Sequence, residues 1–230
     1  MPVSQDSRSR SVHGMAPHRW RSARILEAVC QINEHLVSAL TELARHGDVS
    51  ATIVAENVKV LCHLDVAACK RAARIPILLL DLHFQSEDWW RDAVRLNGKA
   101  SPVTASAGGL PADQITELTR ETLLIAWLAA HDSRQSTNLL FGMSSAVMTL
   151  LGQLSPQQLN RVAGRSSQEL RIRWLDKPDF WRRLFVAAHG GNADDLCDIH
   201  LLGLQLLGGE LMIACGGASR SCEVLGAPRR

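Results

Sequence analysis

The chain has 230 residues, 46% of them hydrophobic, and 25 Lys and Arg against 23 Asp and Glu give a formal net charge of +2. That composition is apolar enough for a core, which excludes a wholly disordered chain, and too nearly neutral for a protein that grips nucleic-acid phosphates over its whole surface. The six cysteines form no CxxC pair and read as cytosolic free thiols; no charge-free run of about eighteen apolar residues marks a membrane span, and the opening stretch lacks the apolar segment of a secretory signal.

Residues 1–22, rich in Ser, Arg, Pro and His, are expected as a disordered tail, because they hold too little apolar surface to order themselves. Arg24–His46 carries Ile25, Val29, Ile32, Leu36, Leu40 and Leu43 at steps of three and four, which predicts an amphipathic helix stopped by Gly47. Ser50–Cys62 reads as a second helix with Ile53, Val54, Val58 and Leu61 inward. Asp65 caps a third, which ends near Arg74 because Pro76 forbids its continuation. In Leu78–Phe84, Leu80, Leu82 and Phe84 alternate with Asp81 and His83, which predicts a short strand, and a helix over Ser86–Arg95 follows. Residues 97–112 form a linker rich in Gly, Ser, Ala and Pro.

Beyond it, helices are expected over Asp113–His131 and Ser136–Leu151. Another starts at Ser155–Pro156, an N-cap followed by proline, and ends at Gly164. Leu170, Ile172 and Trp174 alternate with Arg171 and Arg173 as a second short strand. A helix over Pro178–His189 and a last one over Asn192–Cys215, with Leu196, Ile199, Leu202 and Leu206 on one face, complete the order. Residues 214–230 are expected to be loose, Ser219–Arg230 above all.

The chain nearly repeats itself. At an offset of 90, Leu64 falls on Leu154, Arg71 on Arg161, Ala73 on Ala163, Leu80 on Leu170, Leu82 on Ile172 and Phe84 on Trp174. After about Gln85 the second copy holds one extra residue, so that Trp90 matches Trp181. A fixed-period match sets the unit of folding; chance likeness between two helical stretches is the competing reading. The expected fold class is therefore all-α, mostly helical with one short strand per repeat, as a tandem duplication forming a pseudo-dimer. Its parts are a tail at 1–22, repeat 1 at 23–96, the linker at 97–112, repeat 2 at 113–213 and a tail at 214–230.

Charge separates the two copies. Residues 161–183 hold Arg161, Arg165, Arg171, Arg173, Lys177, Arg182 and Arg183 against three acids, whereas the matching 71–93 hold three arginines against four acids. Such a cluster reads either as a solvated helix face or as a surface toward an acidic partner. No phosphate loop, GxSxG, HExxH or zinc-finger spacing is present. Cys197 with His200, and Cys62 beside His63, fall short of the four ligands of a structural zinc, and cysteine on an apolar helix face is usually a small core residue. Asp194, Asp195 and Asp198 open the last helix, where carboxylates favour the positive end of the macrodipole. No metal, no cofactor and no enzyme activity is expected; an enzyme would need a deep cleft holding Asp194, Asp198 or Cys197.

The stretch GMSSAVMTLLGQLSPQQLNRVAG (Gly142–Gly164), then RIRW (Arg171–Trp174) and DDLCDIH (Asp194–His200), resembles the flagellar transcriptional activator FlhD family. The opening ILEAVCQINEHLVSALTELARH (Ile25–His46), with its Ile32–Asn33 pair, is similar to that family's first helix. The resemblance implies a cytoplasmic bacterial transcription regulator that dimerises and works with an FlhC-like subunit. That complex binds promoter DNA and recruits RNA polymerase to flagellar operons. It covers about Ile25–Leu96 and Asp113–Leu211, and implies two FlhD-like copies in tandem, with no membrane role. A cysteine that bridges subunits in the family is Leu80 in one copy and Leu170 in the other, so no such disulfide is expected. The first copy lacks the DDLxxIH helix. The family's DNA-affecting positions fall near Asn192, Ala193, His200 and Leu201, of which only His200 matches by identity. The DNA- or partner-binding set is thus Arg161, Arg165, Arg171, Arg173, Arg182, Arg183, Asn192, Asp194 and His200. The alternative is a protein-binding module, or decoy, that sequesters the partner without touching DNA.

Overall fold

A computed structural model describes residues 17–95 and 109–223, with backbone alone for 17–22 and 214–223. Among the described residues it has ten helices and one two-stranded sheet, and so is mostly helical as expected. The helices are α1 (Pro17–Arg45), α2 (Thr52–Leu61), α3 (Val66–Ala73), α4 (Glu87–Arg95), α5 (Ala112–Asp132), α6 (Arg134–Phe141), α7 (Ser145–Gly152), α8 (Pro156–Ser166), α9 (Pro178–Gly190) and α10 (Ala193–Glu223). The strands are β1 (Leu80–Asp81) and β2 (Arg171–Ile172). Most of the linker lies outside the described residues, as do residues 1–16 and 224–230.

Local chemistry sets the helix ends. Gly47 takes a left-handed φ of 73° after α1, Asp65 caps α3 by accepting from Ala68 N at 2.6 Å, and Ser155 and Gln158 close a capping box at α8. Four expectations need correction. α1 reaches back to Pro17 and α10 runs on to Glu223, so parts of both expected tails are helical. The single helix expected over Ser136–Leu151 is two, α6 and α7, because Gly142 turns left-handed (φ 60°) and Ser144 begins a new helix by accepting from Val147 N. Gly164 does not end α8, which continues to Ser166 and a 3-10 turn over Ser167–Glu169. Each strand shrinks to two residues, since only Leu80↔Ile172 and Asp81↔Arg171 pair, antiparallel.

The flanking extended chain is held by other means. Asn33 of α1, wholly buried, donates to Ile77 O at 2.8 Å and accepts from Leu79 N at 2.9 Å, satisfying backbone that has no strand partner. Leu78 N donates to Leu140 O and Arg173 N to Leu79 O. Ile77, Leu78, Leu79 and Leu80 are all fully buried, so the segment enters covered on both faces; from Leu80 on the expected alternation holds, with Leu82 and Phe84 buried and Asp81 and His83 part-exposed.

One apolar cluster runs from Val29 through Trp90 to Trp181 and Leu207. α1 lies along α5; α2 and α3 pack on α9, and α4 packs on α7 and α8. Phe84 stacks near Trp90 and meets Phe141 edge-on at 6.0 Å, while Trp181 packs with Phe180 and Phe185 and donates its indole to Arg173 O at 3.0 Å. His83 and Trp174, at φ 52° and 54°, are the non-glycine residues in left-handed backbone among those described. Asp81 steadies the first by accepting from His83 N at 3.2 Å, and Phe180, edge-on at 4.7 Å, steadies the second.

Candidate interaction surface

The arginines of residues 161–183 divide between surface and interior. Arg161 and Arg165 are exposed on α8, Arg171 on β2, and Arg182 and Arg183 on α9. α8 packs against α5 and α4, whereas α9 packs against α2, α3 and α10, so the two arginine pairs ride on helices with different neighbours.

Arg173 is a correction: it does not belong to that surface. Only 3% of its side chain is exposed; it pairs with Glu210 at 2.5 Å and Asp81 at 3.3 Å and donates to Phe141 O at 2.6 Å and Leu80 O at 3.2 Å. The expected alternation pointed it outward with Arg171. Instead the left-handed turn at Trp174 follows it at once, and two carboxylates make its burial tolerable by neutralising it. Glu210 also accepts from Trp174 Nε1 at 2.7 Å. The cluster ties three parts of the chain together: Asp81 on β1, Arg173 after β2 and Glu210 on α10. A cleft of about 270 Å³ beside it is lined by Asp81, Gln85, Arg171, Ile172, Arg173, Trp174 and Glu210, and Gln85 donates to Gly142 O there.

α10 reaches this hub through Glu210 and packs on the body through the buried Ile199 and Leu207 and through Gly203. A Cβ at Gly203 would stand 2.8 Å from Ile75 and 2.9 Å from Ile77, and one at Gly142 would overlap Leu207 Cδ1. Both glycines allow close approach. The opposite face is open, with Leu201 53% and Met212 76% exposed. By length and composition Ala193–Ile213 is long and apolar enough to cross a membrane (mean hydropathy 1.4, with 17% of the qualifying stretch buried in the protein). The expectation of no such segment asked for a charge-free run and passed over it, because Asp198 and Glu210 interrupt the apolar residues; its inner face is engaged with the body.

At the start of α10, Asn192 accepts from Asp194 N at 3.1 Å and donates to Asp195 at 3.2 Å, so its side chain is spent on a local cap. Asp194 is exposed in the first turn. His200 is half-buried, its Nε2 has no partner, and burial lowers its pKa below the usual imidazole value.

α9 and α10 enclose a cleft of about 360 Å³ lined by Arg182, Arg183, Val186, Ala187, Asp195 and Asp198. Arg182 is paired with Asp179 at 2.6 Å. Val186 is 53% exposed beside the fully packed Ala187. Of the residues expected at a binding surface, Arg182 and Arg183 line this cleft along with Asp195 and Asp198, while Arg161, Arg165 and Arg171 do not line it.

Of the described cysteines Cys69 is buried, Cys30 and Cys62 are part-buried, and Cys197 is exposed rather than a core residue. Cys30, Cys62, Cys69 and Cys197 are free thiols; Cys62 donates to Ala44 O, Cys69 lies 3.8 Å from Thr41, and burial raises the Cys30 pKa. Among the described residues no group of three or more His, Cys, Asp or Glu is placed to hold a metal ion. Leu80 and Leu170 are both fully buried.

Compared with protein-family models, curated proteins and solved structures, the chain matches none.

Proposed function

We propose that the chain is a transcription regulator of the FlhD type: two FlhD-like copies in tandem, folded on each other as a pseudo-dimer, acting with an FlhC-like subunit at promoter DNA in the bacterial cytoplasm. It is a binding protein and not an enzyme.

The observation that carries the reading is reciprocal packing. α2 and α3 of the first copy cover α9 of the second, and α7 and α8 of the second, their counterparts at offset 90, cover α4 of the first, the counterpart of α9. α1 and α5, the opening helices, lie on each other. Asp81 pairs with Arg171, its own counterpart 90 residues on. His83 and Trp174 share left-handed backbone 91 residues apart, the spacing of Trp90 and Trp181. An exchange of this kind is what two subunits of a symmetric dimer make. Among the described residues α6 and α10 have no helical counterpart in the first copy, so Asp194 and His200 on α10 have no described equivalent there.

The test is co-expression with an FlhC-like subunit of the same genome, followed by gel shift on a flagellar promoter fragment. The expected result is a stable complex that retards the fragment, while the chain alone retards it weakly or not at all. Failure to co-purify overturns the assignment. A second reading, a decoy that captures the subunit without DNA, is favoured by the loss of Arg173 from the basic surface. Co-purification without retardation selects it.

A further inference from the structure

The α9–α10 cleft holds opposite charges that do not meet. Arg182 and Arg183 stand on its α9 wall, Asp195 and Asp198 on its α10 wall, and Val186 and Ala187 between them. Arg182 is engaged by Asp179 and Asp195 by Asn192. Arg183 and Asp198 make no ion pair or hydrogen bond within the described chain, and both are exposed. Val186, 53% exposed, is the apolar side chain that the cleft presents to an occupant.

This arrangement discriminates between classes of occupant. A nucleic-acid backbone is uniformly negative and gains affinity by replacing counterions with cationic side chains. Here a phosphate drawn into the cleft by Arg183 would also face the carboxylates of Asp195 and Asp198 that line it. A protein helix offers both signs. A carboxylate and an ammonium at i and i+4 project from one helix face about 6 Å apart, and an aliphatic residue on the same face reaches the apolar floor.

We propose that the α9–α10 cleft docks a helix of a protein partner, its carboxylate against Arg183, its cation against Asp198 and an aliphatic side chain over Val186, and that it does not contact DNA. The proposal rests on the partner-subunit reading above and fixes where and how that subunit is held. Complementary charge of this sort sets specificity and association rate and weakens with salt.

The probe is the FlhC-like subunit, fluorescently labelled and titrated with the full chain at two salt concentrations, beside a labelled promoter duplex titrated with the chain alone. Arg183→Glu and Asp198→Lys are each expected to weaken subunit binding about tenfold or more, with the larger loss at low salt. Each variant should melt within about 2 °C of wild type, since neither side chain has an internal partner to lose. Duplex binding by the chain alone should not fall with Arg183→Glu. Subunit affinities of both variants within about twofold of wild type overturn the cleft while leaving the regulator reading intact. A fall in duplex affinity with Arg183→Glu at unchanged subunit affinity also overturns it and makes the cleft a DNA contact. No binding of wild type to the subunit overturns both.

Discussion

Arg173→Met tests the hub most directly. The substitution keeps a long apolar stem but removes the guanidinium and with it bonds to Asp81, Glu210, Leu80 O and Phe141 O. The two carboxylates are 24% and 34% exposed and recover some hydration, so their repulsion is softened. The two carbonyls lose a donor each, at about 1–3 kcal/mol apiece when buried, and breaking a buried ion pair from one side costs about 3–5 kcal/mol. The terms overlap, and a net loss of about 3–5 kcal/mol is expected. For a chain of this size each kcal/mol moves the melting point by about 2–4 °C, so the transition should fall on the order of 10 °C. Urea unfolding followed by circular dichroism gives the free energy, and an unchanged slope assigns the loss to the native state. Glu210→Gln isolates the α10 tether: it should cost about 1–2 kcal/mol and speed hydrogen exchange in α10 more than elsewhere. A loss below about 1 kcal/mol in Arg173→Met, as for an exposed arginine, would refute the buried-hub account.

Gly142→Ala should destabilise by about 1–3 kcal/mol, since it forces a side chain into left-handed backbone and against Leu207; a melting point equal to wild type would remove Gly142 from the α10 contact. Ser155→Ala should cost about 1 kcal/mol in the same melt by opening the α8 capping box. His200 has a pKa lowered by burial, so its stabilising contribution is complete above the unfolded imidazole pKa of about 6.5 and is lost as pH falls through the lowered native value. Unfolding free energies of wild type and His200→Gln should therefore diverge below about pH 6.5, with wild type gaining up to about 1.4 kcal/mol less per pH unit; parallel profiles would place His200 in water.

Helix positions were legible because they rest on local chemistry. The steps of three and four from Ile25 to Leu43, the Asp65 cap and the Ser155–Pro156 start all act within one or two turns, and all three appear in the fold. The strands were less legible. The alternation from Leu80 to Phe84 is kept in the burial, but strand pairing stops at Asp81, and the stretch before it, Ile77–Leu79, is buried on both sides because Asn33, 45 residues before Leu78, supplies its bonds. Arg173 was misplaced for the same reason: nothing near it in sequence announces Glu210 or Asp81. The break at Gly142 carried a signal, a glycine followed by Ser144 as an N-cap, that the apolar run through Met143–Leu151 concealed. Arg182 and Arg183 were legible as exposed, but the acids facing them came from the next helix, where the macrodipole already explained their presence.

The packing of α2 and α3 on α9 also bears on how the chain is made. Ala73, the last residue of α3, precedes Pro178 by 105 residues. At translation rates of about 5–20 residues per second, the ribosome needs roughly 5–20 s to deliver the helix that covers them. Through that interval the faces of α2 and α3 that do not lie on α1 belong to a nascent segment whose cover, α9, is still unmade. Productive synthesis then depends on holdase chaperones or on slow aggregation. A ribosome stalled before α9 should release a product that proteases clear, however well its first helices form.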